Sequence, residues 1–345
     1  MRILACPLGE PEGNSAQYYL YEAMMEKGIE VYDYKQVNPW IFRCDIFHIH
    51  WPQNFFKGRT IFHVFRNYIS FLISVLLQKL YGTKIIWTCH NIVSHQRKYL
   101  ILERSFMKIF IKLLDGTTLL LETSHNYAIQ YYPGLRNKPF RVIPPGHYIG
   151  QFKNDIDQAT ARKFLNIPAD SFVFSMIGNL YEYKGIPELI SSFSKTRDLK
   201  FRLLLAGKIP ENKIKWLINN AQKNDRRIIV YDGFVTNEKI PLYFKCTSLT
   251  VLPFREINNS GSLYLTLSFN TPALVPNIPQ MKEVKEKYGN DEIILFDGVL
   301  NSEVLENTSE IVRQNKIKTK SNLTSMNYEY IADSTINFFK DILNK

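Results

Sequence analysis

The sequence is poor in cysteine, with four in 345 residues. They lie far apart and mostly beside apolar, strand-like runs: Cys6, Cys44, Cys89 and Cys246. The cysteines are too few and too far apart for a disulfide framework, and they do not have the spacing of zinc ligands. We therefore expect buried free thiols, no bound metal, and a protein of a reducing compartment, the cytoplasm.

A secretion signal and a membrane-spanning run are also lacking. The N-terminal segment MRILACPLGEPEG has no extended apolar stretch and no small-residue cleavage site. Its residues Arg2 to Cys6 instead indicate a first buried strand. The uncharged stretch from Asn67 to Gln78 is shorter than the ~20 apolar residues that a membrane-spanning helix needs. These absences again favour a cytoplasmic protein.

Two common ligand motifs are missing as well. Gly9 and Gly13, which follow the first strand, do not form the G-x-G-x-x-G pattern of dinucleotide-binding proteins. The sequence Asp155-Ile156-Asp157 imitates a metal-binding D-x-D, but it follows a linker, and we interpret it as a solvated loop. No nicotinamide, flavin or other cofactor is expected.

The remaining composition is that of a soluble globular protein, with 45% hydrophobic and 22% charged residues. A length of 345 residues suits two domains of ordinary size. The formal net charge of +11 indicates an anionic partner: a nucleic acid, a nucleotide or an anionic membrane face. Nucleic acid is the least favoured of the three, because the sequence contains no recognisable nucleic-acid-binding module.

Short apolar runs alternate with helical patterns along both halves of the chain. They span 2–6, 29–34, 45–49, 83–88, 117–121 and 140–143, then 172–177, 201–206, 228–231, 249–252, 273–275 and 293–296. This alternation predicts parallel sheets built from βα units. The break Pro144-Pro145-Gly146 suits neither a helix nor a central strand. We predict two doubly wound Rossmann-like domains, 1–145 and 146–325, with strand ends lining a shared cleft, and a C-terminal helix in 326–345.

One segment, Arg59 to Lys84, contains no acid and has a helical period. Its predicted apolar face consists of Ile69, Leu72, Ile73, Leu76 and Leu77. Its polar stripe consists of Asn67, Ser70, Ser74 and Gln78. The helix either covers a sheet or lies on a membrane surface, and we favour the sheet because every α/β sheet needs covering helices. Nearby basic residues, among them Arg104, Lys108 and Lys112, also favour weak attraction to anionic lipid.

The most informative segment is GNLYEYKG, from Gly178 to Gly185. It follows the apolar run Phe172 to Ile177 and opens a helical segment. A strand that turns through glycine into a helix presents unpaired N–H groups and the positive helix end to a phosphate. Lys184 adds a positive charge. A nucleotide-linked substrate is the first hypothesis, although such turns are common in α/β proteins.

Three more segments follow in order: LLLAGK at 203–208, RIIVYDGFV at 227–235 and LPFREINNSGSLYLTLSFNTPALV at 252–275. The first half contributes DIFHIHWP at 45–52 and WTCHN at 87–91, and the linker is VIPPGHY at 142–148. Over residues 2–296 the chain resembles GT-B glycosyltransferases of the family 4 type, such as bacterial exopolysaccharide transferases. The resemblance implies a GT-B fold whose C-terminal helix crosses back to the first domain. It also implies metal-independent hexose transfer from a nucleoside diphosphate sugar.

The resemblance further implies three catalytic residues: Lys184 at the leaving diphosphate, Glu256 as a shifted sugar-binding acid, and His90 near the transferred sugar. The other donor-binding positions would be Gly13, Asn14, Gly178, Asn179, Gly207, Lys208, Phe234, Val235, Asn259, Ser260, Gly261 and Ser262. The acceptor side would include His50, Trp51, Asn91 and His147. His48 shares a strand face with His50, and we interpret it as structural.

Two features depart from the family pattern. Asn179 stands where an arginine is usual, and neither the position near Asn258 nor Leu265 carries the expected glutamate. These missing charges leave a non-catalytic sugar-nucleotide-binding partner subunit as an alternative. A sugar-nucleotide 2-epimerase, which shares the fold, is a further alternative, but the sequence contains few of the carboxylates that this activity usually requires. The leading prediction is a hexosyltransferase that uses a UDP-sugar, or secondly a GDP-sugar, and a saccharide or lipid-linked saccharide acceptor. It would be cytoplasmic, with weak peripheral association at the inner face of the plasma membrane.

Overall fold

The computed structural model describes residues 1–12, 15–56, 60–92, 100–255, 259–314 and 321–345. The chain forms two compact units. The first contains Met1–Gly146 together with Thr324–Lys345, and the second contains His147–Leu323. Each unit is built around its own six-stranded sheet, in which all paired strands are parallel.

The sheet of the first unit has the strand order β2-β1-β3-β4-β5-β6. Its strands are β1 (Arg2–Cys6), β2 (Glu30–Asp33), β3 (Ile46–Ile49), β4 (Lys84–Cys89), β5 (Gly116–Leu119) and β6 (Phe140–Val142). The connecting helices are α1 (Ser15–Glu26), α2 (Ile61–Leu80), α3 (Leu100–Leu113) and α4 (Glu122–Tyr131). The strand order reverses between β1 and β3, and ligands of open α/β sheets bind at such a switch point.

The sheet of the second unit has the strand order β12-β11-β10-β7-β8-β9. Its strands are β7 (Phe172–Ile177), β8 (Phe201–Gly207), β9 (Ile228–Asp232), β10 (Leu249–Val251), β11 (Ala273–Pro276) and β12 (Ile293–Phe296). Its helices are α5 (Gln158–Phe164), α6 (Ile186–Phe193), α7 (Asn212–Asn224), α8 (Ile240–Cys246), α9 (Gly261–Ser268), α10 (Pro279–Val284) and α11 (Ser302–Arg313). Here the switch point lies between β7 and β10.

All twelve strands coincide with the apolar runs, to within one or two residues at each end. For the inner strands the reason is burial on both faces, because a parallel strand covered by helices on each side needs an almost continuous apolar sequence. β7, for example, is buried at every position. The predicted α/β class with two doubly wound parallel sheets is confirmed.

The last helix of the chain, α12 (Tyr328–Leu343), belongs to the first unit. It packs beside α1 on one face of the first sheet. Ile336 and Phe339 join Ala5, Tyr21 and Ile86 in one apolar cluster there. α2 and α3 cover the opposite face of this sheet in a second cluster.

The structure rotates α2 away from the predicted orientation, so that part of the predicted polar stripe is buried and part of the predicted apolar face is exposed. Ser74 and Gln78, predicted to form a polar stripe, are completely buried. Ile69, Ile73 and Leu76, predicted to face the core, are 37%, 39% and 45% exposed. Leu72 is buried as predicted, and the other buried apolar contacts of α2 come from Val64, Tyr68, Phe71 and Val75.

Satisfied hydrogen bonds explain why the polar side of α2 faces inward. The Gln78 amide donates to the carbonyl oxygens of Pro39 and Phe42 at 2.8 and 2.6 Å. The indole N–H of Trp40 donates to Ser74 Oγ at 3.1 Å. Buried polar groups are tolerated when they find such partners. Among the described helices, α2 is the one long and apolar enough to cross a membrane by length and composition, yet one side of it packs on the sheet.

Candidate functional site

The loop after β7 lies at the switch point of the second sheet. It runs through Gly178 and a short 3-10 helix, Glu182–Lys184, into α6. Gly185 has φ +79°, and a Cβ at this position would overlap the carbonyl oxygen of Pro253, in the segment that follows β10. A Cβ on Gly207, at the end of β8, would likewise overlap the carbonyl oxygen of Gly178. The absence of a side chain at these two glycines lets the ends of three neighbouring strands approach one another closely.

Lys184 points into this convergence of strand ends. A Cβ added to Gly178 would lie 3.8 Å from Lys184 Nζ and 3.7 Å from Ser262 Oγ, so the three residues face a common space. The lysine is 9% exposed, and burial lowers its pKa from 10.5 to about 8. Within the described ranges, no carboxylate forms an ion pair with its ammonium group. A buried ammonium without a protein counter-ion is suited to receive an anionic ligand.

The N-terminus of α9 supplies amide groups at the same place. The Ser260 hydroxyl accepts a hydrogen bond from the Leu263 N–H at 3.2 Å and thereby caps the helix. The amides of Gly261 and Ser262 belong to the first turn, where N–H groups have no acceptor within the helix. Asn259 Oδ1 is buried and has no hydrogen-bond partner among the described residues. Glu256 lies outside the described residues.

A second wall of this space is formed by the segments after β8 and β9. Leu180 N–H donates to the Lys208 carbonyl at 2.9 Å, and Gly233 N–H donates to the Gly207 carbonyl at 3.3 Å. These bonds place the exposed Lys208 and Asn179 beside the glycine turn. Phe234 is 49% exposed and stands next to the partly buried Val235. An exposed aromatic ring beside this glycine turn offers a flat surface on which a planar group can stack.

Leu265, at the position of an expected glutamate, has a packing role. Its side chain packs against an apolar cluster that includes Tyr243 and Phe244. A carboxylate there would lose its hydration without gaining a partner in that cluster. Among the described residues around this space, Lys184 is the buried charge.

The first unit contains a buried polar network at its own switch point. The Tyr21 hydroxyl, on α1, lies 2.7 Å from both His48 Nδ1 and His50 Nε2. His48 Nε2 bonds Thr88 Oγ1 at 2.7 Å, and Thr88 bonds Thr118 at 2.6 Å. The chain of hydrogen bonds therefore links α1 with β3, β4 and β5.

His90 ends this network directly after the carboxyl end of β4. Its Nε2 lies 2.9 Å from His50 Nδ1 and 3.3 Å from Gln17 Nε2. The Trp51 ring stacks on the His90 ring, with centroids 4.5 Å apart and planes at 25°. Burial lowers the pKa of His48 and of His90 to about 3, and it lowers the pKa of His50 as well. All three imidazoles are therefore neutral near pH 7.

The tautomers of these histidines depend on one another. A neutral imidazole carries one N–H, and the Tyr21 hydroxyl has one proton for two ring neighbours. Tyr21 therefore donates to one histidine and accepts from the other. The resulting form of His50 decides whether Nε2 of His90 donates or accepts in their shared bond. Tyr21 is thus coupled to the protonation pattern of His90 through His50.

Sequence reasoning missed four members of this network: Gln17, Tyr21, Thr88 and Thr118. Gln17 and Tyr21 are four residues apart, so they lie on one face of α1. Polar residues on the buried face of a helix, opposite threonines within apolar strands, are the signal that was available. His48 takes part through buried hydrogen bonds, which agrees with its structural interpretation.

The other predicted positions of the acceptor side are distributed as follows. The Asn91 carbonyl accepts a hydrogen bond from Gln53 Nε2 at 3.1 Å, close to His90 in the chain. His147 belongs to the second unit, and its Nδ1 accepts a hydrogen bond from Ile149 N–H at 3.2 Å. Gly13 and Asn14 lie outside the described residues. Within the part of the chain that is described, no group of three or more His, Cys, Asp or Glu side chains is arranged to hold a metal.

Trp51 also lines a pocket of about 530 Å³ in the first unit. The pocket opens at the carboxyl ends of β1, β2 and β3. Its lining combines the rings of Trp51 and Phe55 with the carboxylates of Glu10 and Asp33. Aromatic faces together with a few carboxylates are suited to a sugar, which has apolar C–H faces and hydroxyl donors.

The chain was compared with protein-family models. The model described as "Glycosyl transferases group 1" matches residues 171–308. This match contains the Gly178 turn, Lys184 and the start of α9.

Comparison with characterised proteins and solved structures agrees with this match. The GDP-mannose:glycolipid 4-beta-D-mannosyltransferase of Xanthomonas campestris pv. campestris is 22% identical over 306 residues, which cover 88% of this chain and 82% of that protein. Anabaena HepE, solved with UDP and glucose, superposes with a TM-score of 0.67 at 13% identity and covers 99% of this chain and 98% of its own. The sucrose-phosphate synthase of Thermosynechococcus elongatus gives a TM-score of 0.70 at 14% identity, with 99% of both chains covered.

Proposed function

The chain is a GT-B glycosyltransferase of the family 4 type, and we propose that it transfers a hexose from a nucleoside diphosphate sugar to a glycolipid acceptor. The observation that carries this proposal is the meeting of the buried Lys184 ammonium, the Gly178 turn and the N-terminus of α9. Each is suited to an anion, and together they offer a diphosphate one positive charge and several N–H donors. The acceptor class is suggested by the glycolipid named for the Xanthomonas relative.

Departure of the diphosphate is the step in which this site acts. As the bond between the sugar and the diphosphate breaks, negative charge grows on the leaving oxygen. The Lys184 ammonium and the amides of Gly261 and Ser262 stabilise that charge because they are already oriented toward it. With Asn179 in place of an arginine, Lys184 supplies the buried positive charge of the site, and transfer proceeds without a metal.

The donor base rests on the second wall of the site, against Phe234 and Val235. The sequence resemblance favours uridine as the base of the donor. Guanosine is the second candidate, because the name of the Xanthomonas relative contains GDP-mannose. Backbone groups next to these residues would read the edge of the base. A titration with both nucleotides decides between them.

On the acceptor side, His90 orients a hydroxyl group. A ring whose pKa is about 3 is a poor general base at neutral pH, but it remains a good hydrogen-bond partner. Tyr21 and His50 set which nitrogen of His90 carries the proton. The acceptor saccharide occupies the pocket beside Trp51, and its lipid keeps the enzyme at the inner face of the membrane.

The test is isothermal titration of the full chain with UDP, GDP and ADP. We expect one diphosphate to bind the wild type and to bind Lys184→Met at least about 30-fold more weakly, because hydrogen bonds to a charged group contribute about 2 kcal/mol or more. Lys223→Met is the matched control, since it removes an exposed lysine in the last turn of α7, which is assigned to neither site. Release of the diphosphate from the sugar nucleotide, dependent on a lipid-linked saccharide, then identifies the transferase. Absence of nucleotide binding, or equal binding by Lys184→Met, contradicts the proposed site.

A further inference from the structure

The outward side of α2 carries a row of large apolar side chains. Its members recur every three or four residues and are 37% to 84% exposed: Phe62, Phe65, Ile69, Ile73, Leu76 and Leu80. We call this row the apolar stripe. The core does not require it, because the opposite side of α2 fills the sheet-facing cluster. Exposed apolar surface of this extent on one helix indicates a partner.

The neighbouring helix α3 presents a row of positive charges. Arg104, Lys108 and Lys112 are spaced four residues apart and are all exposed. We call them the basic row. Two exposed isoleucines, Ile101 and Ile109, lie on the same helix. The only acidic residue in either helix, Glu103, is buried.

The apolar stripe and the basic row belong to one surface. α2 and α3 pack side by side, with the Tyr68 and Phe106 rings 5.2 Å apart and the Phe71 and Phe110 rings 6.2 Å apart. Both helices cover the same face of the sheet, so both direct their exposed sides away from it. The surface is apolar along one helix and positive along the next.

This combination matches the chemistry of an anionic bilayer surface. Apolar side chains of a helix that lies in the interface enter the boundary between headgroups and acyl chains, while lysine and arginine bind the anionic headgroups. The absence of exposed acid on both helices removes the repulsion that such headgroups would meet. A membrane-spanning arrangement is inconsistent with the inward side of α2, where Ser74 and Gln78 bond the segment that precedes β3.

We propose that the apolar stripe and the basic row are the surface by which this chain docks on an anionic lipid bilayer, with α2 lying in the plane of the interface. The proposal rests on the proposed function for its biological role, since a glycolipid acceptor resides in a membrane. Its test does not rest on that function, because vesicle binding is measured without donor or acceptor.

The experiment is sedimentation of the full chain with vesicles. One set consists of phosphatidylcholine, and the other of equal parts phosphatidylcholine and phosphatidylglycerol. We expect stronger binding to the second set, weakened by added salt. Phe62→Ser with Phe65→Ser should lower the partition coefficient about 10-fold to 100-fold through lost apolar burial. Lys108→Glu with Lys112→Glu should lower it about 10-fold or more through reversed charge.

Matched controls make the same kinds of change, loss of exposed apolar side chains and reversal of exposed charges, in the second unit. Leu199→Ser with Trp216→Ser removes side chains that are 80% and 68% exposed. Lys163→Glu with Lys223→Glu makes the same change of charge at exposed positions. Both control variants should bind vesicles as the wild type does. All variants should keep their melting temperature and their nucleotide affinity, which separates this surface from the donor site.

Three outcomes would overturn the proposal. In the first, the wild type binds both vesicle sets equally or binds neither. In the second, the control variants lose as much binding as the α2 and α3 variants. A third outcome is a dimer of the wild type in solution that the Phe62→Ser and Phe65→Ser substitutions dissociate while vesicle binding is unchanged. That result would assign the apolar stripe to a second copy of this chain.

Discussion

Lys184→Met should make the protein without ligand more stable while it weakens nucleotide binding. The lysine is buried, and its pKa of about 8 lies below the ordinary 10.5. A difference of this size corresponds to about 3 kcal/mol against the charged form in the folded state. Removal of that charge should therefore stabilise the folded protein. Methionine is the chosen substitution because its side chain fills a similar volume and is uncharged.

The sign of the pH dependence follows from the same shift. Between pH 8 and 10.5 the unfolded chain keeps the Lys184 proton, whereas the folded protein has lost it. Stability of the wild type should therefore rise with pH across this window. Nucleotide binding should fall across it, because the neutral amine no longer attracts the diphosphate. Lys184→Met should lack both of these contributions.

The assays are thermal unfolding and isothermal titration with UDP and GDP at several pH values. At pH 7 we expect Lys184→Met to melt higher by about 2–4 °C for each kcal/mol gained in a domain of this size. Its affinity should be about 30-fold to 150-fold lower than that of the wild type. A variant that is less stable than the wild type and binds nucleotide equally well would refute the idea that this charge is buried for a ligand.

Three further predictions concern the positions that shape the two sites. Gly185→Ala should be more destabilising than Gly150→Ala, because both glycines have φ near +80° but only at Gly185 would the Cβ overlap a backbone carbonyl. We expect Gly150→Ala to lower the free energy of unfolding by about 1–2 kcal/mol through backbone strain, and Gly185→Ala to lower it further. Equal urea midpoints for the two variants would contradict the clash. Tyr21→Phe should lower the free energy of unfolding by about 1–3 kcal/mol, because it leaves a nitrogen of His48 and one of His50 without their partner. Tyr330→Phe, at a 59% exposed position, is the control. If the ¹⁵N shifts of His90 stay at their wild-type values in Tyr21→Phe, the tautomer of His90 does not depend on Tyr21. The free energy of unfolding should decline from pH 6.5 to 5, by about 1.4 kcal/mol per pH unit for each histidine. The reason is that His48 and His90, whose pKa is about 3, stay neutral in the folded state while the unfolded chain takes up protons. A free energy of unfolding in urea that does not change with pH would exclude neutral buried imidazoles.

The prediction of the inner strands from sequence succeeded because these strands are buried along almost their whole length. β7 and β8 lie inside a parallel sheet with helices on both faces, so their apolar runs needed no knowledge of any neighbour. The predicted GT-B glycosyltransferase is confirmed by the group 1 match and the structural neighbours. The individual donor and acceptor residues stay predictions, and the titrations above test them.

The orientation of α2 shows where local pattern was insufficient. Its sequence is apolar on two sides, so the helical period alone did not identify the side that packs on the sheet. Gln78 and Ser74 became buried because Pro39, Trp40 and Phe42, distant in sequence, offered hydrogen-bond partners. The surface left outside is the one that we propose for membrane docking.

By itself, the sequence determined the twelve strands, their division into two doubly wound halves, and the glycine turn with Lys184. These features depend on the residues of one segment and on their order along the chain. Tertiary structure alone decided that Lys184 is buried, that Leu265 packs where an acid was expected, and that Tyr21 joins His48, His50 and His90 into one network. Burial and hydrogen-bond partners are properties of segments brought together by folding, and no single segment contains that information.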